Sequence, residues 1–264
     1  MRSNQDERST FADALTRAYL RDPCGVLPNA LWKSPREIEA CQTAIVGTAS
    51  DPEGLEMWDR KRLLVPWRRD GTASERVRKL VRTVDLALIH DRMIGGLEVA
   101  RFSSQVRHTR LAHRLPATDT TLLQEAYGIA EARIPDEAPA ISSFLGACYE
   151  GLKMPPETVL SWAEHPTHDS SLWIWIKHLP SGLSTALGIA EHDAEIGEIS
   201  LEWIQVHPDY RRRGLGRALV FELLSRASKI GHFATVSGFS DAPAESLYRS
   251  CGFAGNDVWW CLRR

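Results

Sequence analysis

The sequence predicts an α+β (mixed α/β) fold, a central mixed and mostly antiparallel sheet flanked by helices, and three observations predict it. Apolar residues in 122–264 switch between period two and period 3.6 in the order β-α-α-β-β-β-α-β-α-β. The three middle strands follow one another across short turns, the pattern of an antiparallel meander. A less regular α+β stretch, residues 1–115, precedes them as an N-terminal accessory region with no chemistry assigned to it.

The first expected helix runs from Thr10 to Leu20, with Phe11, Leu15 and Tyr19 at helical spacing and Ser9 or Thr10 as cap. Asp22-Pro23-Cys24-Gly25 breaks it. Residues 35–48 read as a second short helix, and Asp51-Pro52-Glu53-Gly54 as a turn. Between Arg60 and Arg114 the chain carries fourteen Lys/Arg against five Asp/Glu. Such a run is usually a solvated face; RNA, an acidic protein or the phosphate of a ligand are its other candidate partners. Aromatics in it are few (Trp67, Phe102), which argues against stacking on single-stranded nucleic acid. Val84–His90 and Gln105–Leu115 read as strands, and 115–121 as the linker between two domains, 1–115 and 122–264.

Beyond the linker, Tyr127–Ile134 reads as a strand, and Asp136–Glu150 and Pro156–Glu164 as helices. Leu172–His178, Leu183–Glu191 and Glu198–Val206 form the meander. Gly214–Lys229 is amphipathic, with Leu215, Leu219, Val220, Leu223 and Ala227 on its apolar side. Phe233–Val236 is a short strand, Ala242–Cys251 a helix stopped by Gly252, and Val258–Leu262 a last strand. No internal repeat is evident.

Composition narrows the function classes. The 264 residues are 43% hydrophobic and 25% charged with a net charge of −2, which suits one large or two small globular domains and makes no case for nucleic acid. No run of about 18 apolar residues marks a membrane span, and the polar start Met1–Glu7 has no signal core behind it. Five scattered cysteines, Cys24, Cys41, Cys148, Cys251 and Cys261, suit reduced thiols and a cytoplasmic location. His165-x-x-His168 reads as solvated loop histidines, so no metal is expected. A homodimer is compatible with all of this.

The chemistry concentrates in Ile204-Gln205-Val206-His207-Pro208-Asp209-Tyr210-Arg211-Arg212-Arg213-Gly214-Leu215-Gly216-Arg217. A strand ends at Val206, Pro208 stops further pairing, and a basic glycine turn leads into a helix. Unpaired N–H groups and the dipole at such a helix start suit a phosphate or pyrophosphate. Gly214 and Gly216 keep side chains out of its way.

This segment resembles the acyl-CoA loop of the GNAT superfamily of N-acyltransferases, Arg/Gln-x-x-Gly-x-Gly/Ala, at Arg211-x-x-Gly214-x-Gly216. A second block, Asp241-Ala242-Pro243-Ala244-Glu245-Ser246-Leu247-Tyr248-Arg249-Ser250-Cys251-Gly252-Phe253, is similar to the family's Asn-x-x-Ala-x-x-x-Tyr-x-x-x-Gly-Phe. The resemblance covers about 122–264 and implies acetyl-CoA as cosubstrate and a primary amine of a small molecule or protein as acceptor. It implies cofactor contacts at 204–206, 211–217 and Asp241, and Tyr248 as the acid for the departing thiolate. Asp241 stands where the family has Asn, and an ionised Asp accepts but does not donate. Asp22-Pro23-Cys24 with Leu27–Lys33 is similar to an N-terminal extension of some bacterial members and implies no chemistry.

Strand alternation puts Glu198, Ser200, Glu202, Ile204 and Val206 on one face, so Glu202 and Glu198 are candidates to hold or activate the amine. Cys251 reads as a buried thiol rather than a nucleophile, and Trp173 and Trp175 as core. The alternative to an enzyme is a non-catalytic acyl-CoA-binding or regulatory protein on the same fold.

Overall fold

The computed structural model describes residues 4–115, 123–149 and 151–264. Most of the stretch read as a linker, 116–121, lies outside them. The chain divides into two compact units that are not contiguous in sequence. The first takes residues 1–112, 237–245 and 254–264; the second takes 113–236 and 246–253.

The first unit begins with α1 (Asn4–Arg21) and α2 (Ser34–Ala40), followed by β1 (Gln42–Gly47), β2 (Pro52–Trp58) and β3 (Arg62–Arg68). Then come α3 (Glu75–Leu80), β4 (Leu86–His90), α4 (Asp91–Ile94) and β5 (Ser104–Arg114). The helix expected over 35–48 stops at Ala40, because Gln42–Gly47 pairs antiparallel with β2. Its Ile45 and Val46 favour the pleated strand over the helix. The expected turn at 51–54 is instead the start of β2: Pro52 sits at the strand's first residue, where its missing N–H costs no ladder bond.

The second unit contains β6 (Tyr127–Glu131), α5 (Ala138–Cys148), α6 (Pro156–Ala163), β7 (His168–His178), β8 (Leu183–Asp193) and β9 (Glu198–Val206). After a short 3₁₀ turn at Pro208–Tyr210 come α7 (Leu215–Ala227) and β10 (Phe233–Phe239), whose first four residues belong to this unit. α8 (Pro243–Ser250) begins in the first unit and ends in the second, and β11 (Ala254–Arg263) belongs to the first.

Within the first unit the strand order is β1-β2-β3-β4-β11-β5, so the end of the chain lies between β4 and β5, antiparallel to both. Within the second the order is β10-β9-β8-β7-β6. Each unit is an antiparallel meander closed by one parallel pair, β3 with β4 and β9 with β10. A helix joins the two strands of each pair, α3 in one case and α7 in the other. The chain therefore repeats one architecture, a similarity that sequence reading does not detect.

The core of the first unit gathers Leu63, Val65, Val77, Val81, Ile89 and Leu262. That of the second packs Ile141, Leu145 and Val159 of α5 and α6 against Trp173, Trp175, Leu187 and Ile189. Leu172 to Ile176 are all buried, as in a strand covered on both faces. The covering on the other side is α7: a Cβ added at Gly188 of β8 would lie 2.9 Å from both Leu219 Cδ1 and Leu223 Cδ1.

The basic stretch is largely satisfied from within. Arg62 pairs with Glu37 at 2.8 Å, and Arg76 reaches the fully buried Glu56 at 3.0 Å. Arg110, itself buried, donates to the Pro28 carbonyl at 2.6 Å. Among the described residues, no helix is long and apolar enough to cross a membrane.

Candidate active site

The site in the second unit is built where β9 gives way to α7. His207 Nδ1 accepts the N–H of Asp209 at 3.3 Å, which turns the chain at the end of the strand. Arg212 and Gly214 then take left-handed conformations, φ 65° and 80°. Gly does so without penalty, whereas Arg212 is held in a conformation that L side chains rarely adopt. Such strain gathers at ligand loops.

Gly214 caps α7, and the first helical bond runs from the Ala218 N–H to the Gly214 carbonyl at 3.0 Å. The N–H groups of Leu215, Gly216 and Arg217 therefore lie ahead of the helical ladder, at the positive end of a thirteen-residue helix. A Cβ at Gly214 would meet nothing within 4 Å, so the approach is open. A Cβ at Gly216 would lie 3.2 Å from Leu247 Cδ2 and 3.6 Å from Val206 Cγ2, so α7 is seated closely at this point. These features fit a phosphate group.

Arg211, Arg212 and Arg213 of the loop and Arg217 of α7 are all exposed. Arg211 folds back, donating from Nε to the Val206 carbonyl at 3.3 Å and from Nη2 to the Cys148 carbonyl at 3.4 Å. Arg213 donates to the Asp209 carbonyl at 3.0 Å and lies over the Tyr210 ring. Both brace the loop. Arg217 is exposed and lies over the Phe221 ring.

On β9 the pairing with β10 stops at Leu201–Val236. Ile204, Gln205 and Val206 continue beyond it, half-buried and paired to β8. The register with β8 shifts between Ile189–Trp203 and Ala190–Leu201, so Glu202 is the extra residue of a bulge. The bulge breaks the alternation expected from Glu198 to Val206. Glu202 comes just past the last β9–β10 pair and is half-buried. Glu198 is at the opposite end of the strand, paired with Phe233, fully buried, and accepts the Thr235 hydroxyl at 2.6 Å. At about 3.3 Å per residue it is some 26 Å from Val206. The structure therefore keeps Glu202 near the loop and separates Glu198 from it.

Tyr248 on α8 is 8% exposed and packs edge-on against Phe253. Burial first, then the neighbouring Tyr149 and Cys251, pushes its phenol well above the usual tyrosine range, so it stays protonated. Cys251 is buried, and burial raises its thiol too, which suits packing rather than nucleophilic attack. Asp241 belongs to the first unit, with φ 62° and its carboxylate 3.4 Å from Arg107.

One participant escaped sequence reading. Tyr149, at the end of α5, accepts a hydrogen bond from Gln205 Nε2 at 2.6 Å and packs edge-on against Trp203, which stacks on Trp162. Burial also raises its phenol. No motif marks it, because its link to β9 exists only in the folded chain. His165 Nδ1 bonds Thr167 Oγ1 at 2.9 Å, and among the described residues no group of three His, Cys, Asp or Glu comes together to hold a metal.

A family model described as acetyltransferase (GNAT) domain matches residues 171–254, from β7 to the start of β11. No relative was found among curated proteins. Solved structures resemble the chain along nearly its whole length at low identity. A GCN5-related N-acetyltransferase from Sphaerobacter thermophilus has a TM-score of 0.66 and 15% identity over 96% of this chain and 91% of that one. A GNAT-family acetyltransferase from Colwellia psychrerythraea has 0.62 and 13% over 100% and 98%. A tandem GNAT protein from the clavulanic acid biosynthesis pathway has 0.61 and 13% over 100% and 96%. The β9–loop–α7 turn thus lies inside the segment, residues 171–254, that matches the GNAT acetyltransferase domain model.

Proposed function

We propose that the second unit is an N-acetyltransferase that uses acetyl-CoA and acetylates a primary amine of a small molecule or protein. The observation that carries this reading is the turn Arg211–Gly216: an open, left-handed glycine cap ahead of three N–H groups outside the helical ladder. Those groups would receive the pyrophosphate of the cosubstrate, with Arg212 and Arg217 adding positive charge. Ile204, Gln205 and Val206 offer the strand along which the pantetheine arm would lie. The thioester supplies the electrophilic acyl carbon.

The residues of this chain supply the proton traffic. Glu202, at the bulge, is positioned to accept a proton from the amine directly or through water. Tyr248, kept protonated by burial, holds a proton for the departing thiolate. Glu198 has no part in this scheme, because its carboxylate is buried with Thr235 at the far end of the strand. All five cysteines are free thiols, which supports a reducing, cytoplasmic setting.

The test is calorimetric binding of acetyl-CoA, followed by thiol release over a panel of amines. Amine-dependent release supports the proposal. Binding without turnover on any amine would favour an acyl-CoA sensor instead.

A further inference from the structure

The first unit contains a cavity of about 380 Å³ that the reading above does not use. Its size is that of a small-molecule site. Five arginines line it, Arg17, Arg21, Arg68, Arg69 and Arg92, against two aspartates, Asp22 and Asp51. Both aspartates are already engaged: Asp51 pairs with Arg69, and Asp22 accepts the Gly25 N–H at 3.1 Å. Arg92 is held by Asp257 at 3.0 Å, a carboxylate that also contacts His90 Nε2 at 2.9 Å.

Arg68 is different. Its side chain is only 8% exposed, yet Nε and Nη1 have no hydrogen-bond partner among the described residues. Among the described residues its one ionic contact is a long one, 3.4 Å from Nη2 to Asp70. The fold makes room for it: Gly54 lies opposite on β2, and a Cβ there would come within 2.4 Å of Arg68 Cδ. A buried, always-charged guanidinium with a single long contact is costly, and its place in the cavity wall sets that charge beside whatever the cavity holds.

The sequence around it repeats the pattern of the other unit. Arg68-x-x-Gly71-x-Ala73 starts on the last residue of β3, whereas Arg211-x-x-Gly214-x-Gly216 starts five residues past the end of β9; both glycines have positive φ, 68° and 80°. The two loops differ in where the leading arginine goes. Arg211 is exposed and braces backbone carbonyls, whereas Arg68 is buried in the cavity wall.

We propose that the first unit holds a second ligand site, an anion cavity for a small molecule bearing a phosphate or diphosphate group, with Arg68 as its buried anchor. Guanidinium groups match phosphate oxygens in geometry and charge, and Trp67 offers a flat apolar wall for the rest of the molecule. Two sources carry this chemistry, the phosphates of CoA and another phosphorylated metabolite.

The experiment is calorimetric titration of inorganic pyrophosphate, and separately of CoA, into full-length protein carrying Gly216→Glu, which disables the loop of the second unit. Arg68→Met keeps the buried bulk without the charge, and Arg21→Ala changes an exposed wall residue that the fold does not depend on. Loss of a charge-assisted contact weakens binding about ten- to a hundredfold. The expected result is pyrophosphate binding that Arg68→Met abolishes and Arg21→Ala weakens. Saturable CoA binding that falls in parallel identifies CoA as the source; pyrophosphate binding alone points to another phosphorylated molecule. If the Gly216→Glu protein binds neither probe, or if both variants bind as it does, the proposal is overturned. Should Arg68→Met not fold, Arg21→Ala alone decides.

Discussion

Gly216 is the position where the proposed cofactor loop can be perturbed with least harm to the fold. Its missing Cβ would sit 3.2 Å from the flexible end of Leu247 and 3.6 Å from Val206, so a small side chain needs a shift of only a few tenths of an ångström. Gly216→Ala should be nearly neutral for stability, since replacing a helical glycine returns about 0.5–1 kcal/mol. Gly216→Glu adds a carboxylate to the first turn of α7, which the helix dipole favours by about 0.3–1 kcal/mol. Against a phosphate about 4–5 Å away, the same carboxylate is repelled by roughly 1–4 kcal/mol, depending on how far water screens the pair. Acetyl-CoA affinity should therefore fall at least about fivefold in Gly216→Glu and far less in Gly216→Ala, with melting temperatures within a few degrees of wild type. Calorimetry and a melting scan on the three proteins measure this. A folded Gly216→Glu protein with wild-type affinity would refute the placement of the cofactor at α7.

Other outcomes follow from the same geometry. Tyr248→Phe keeps the ring on Phe253 and removes only the buried proton donor, so kcat should fall on the order of 10²-fold with KM for acetyl-CoA little changed; an unchanged kcat would assign the proton to water or to Tyr149. Gly188→Ala drives a methyl to 2.9 Å from Leu219 and Leu223, and overpacking should cost about 1–3 kcal/mol in a denaturant titration. A fragment of residues 122–264 lacks β4 and β5, both partners of β11, and bares the otherwise buried Trp259 and Leu262. It should lack a cooperative melt, and a soluble, cooperatively melting fragment would restore a contiguous division at 115–122.

The second unit was legible because its signals agree. The meander alternates, α7 is amphipathic over thirteen residues, and Pro208 and Gly214 punctuate the chain where the fold turns. The first unit hid three strands: β1 behind a helix reading, β3 in the basic run, and β2 behind turn residues. Pro52 and Gly54 read as a turn, yet Gly54 is glycine because Arg68 lies across it on the neighbouring strand. The repeat escaped for a related reason: Arg68 sits in a run of basic residues that resembles a solvated face, and its burial appears only once the chain is folded. Glu198 and Glu202 looked equivalent by alternation, which has no way to signal the bulge at Glu202.

The most direct test follows the backbone amides of Leu215, Gly216 and Arg217 by ¹H–¹⁵N correlation spectroscopy as acetyl-CoA is added to the full-length protein. The account predicts that these three signals shift saturably, with changes concentrated there and along Ile204–Val206. If acetyl-CoA binds while these amides keep their positions, the cofactor lies elsewhere and the central claim fails.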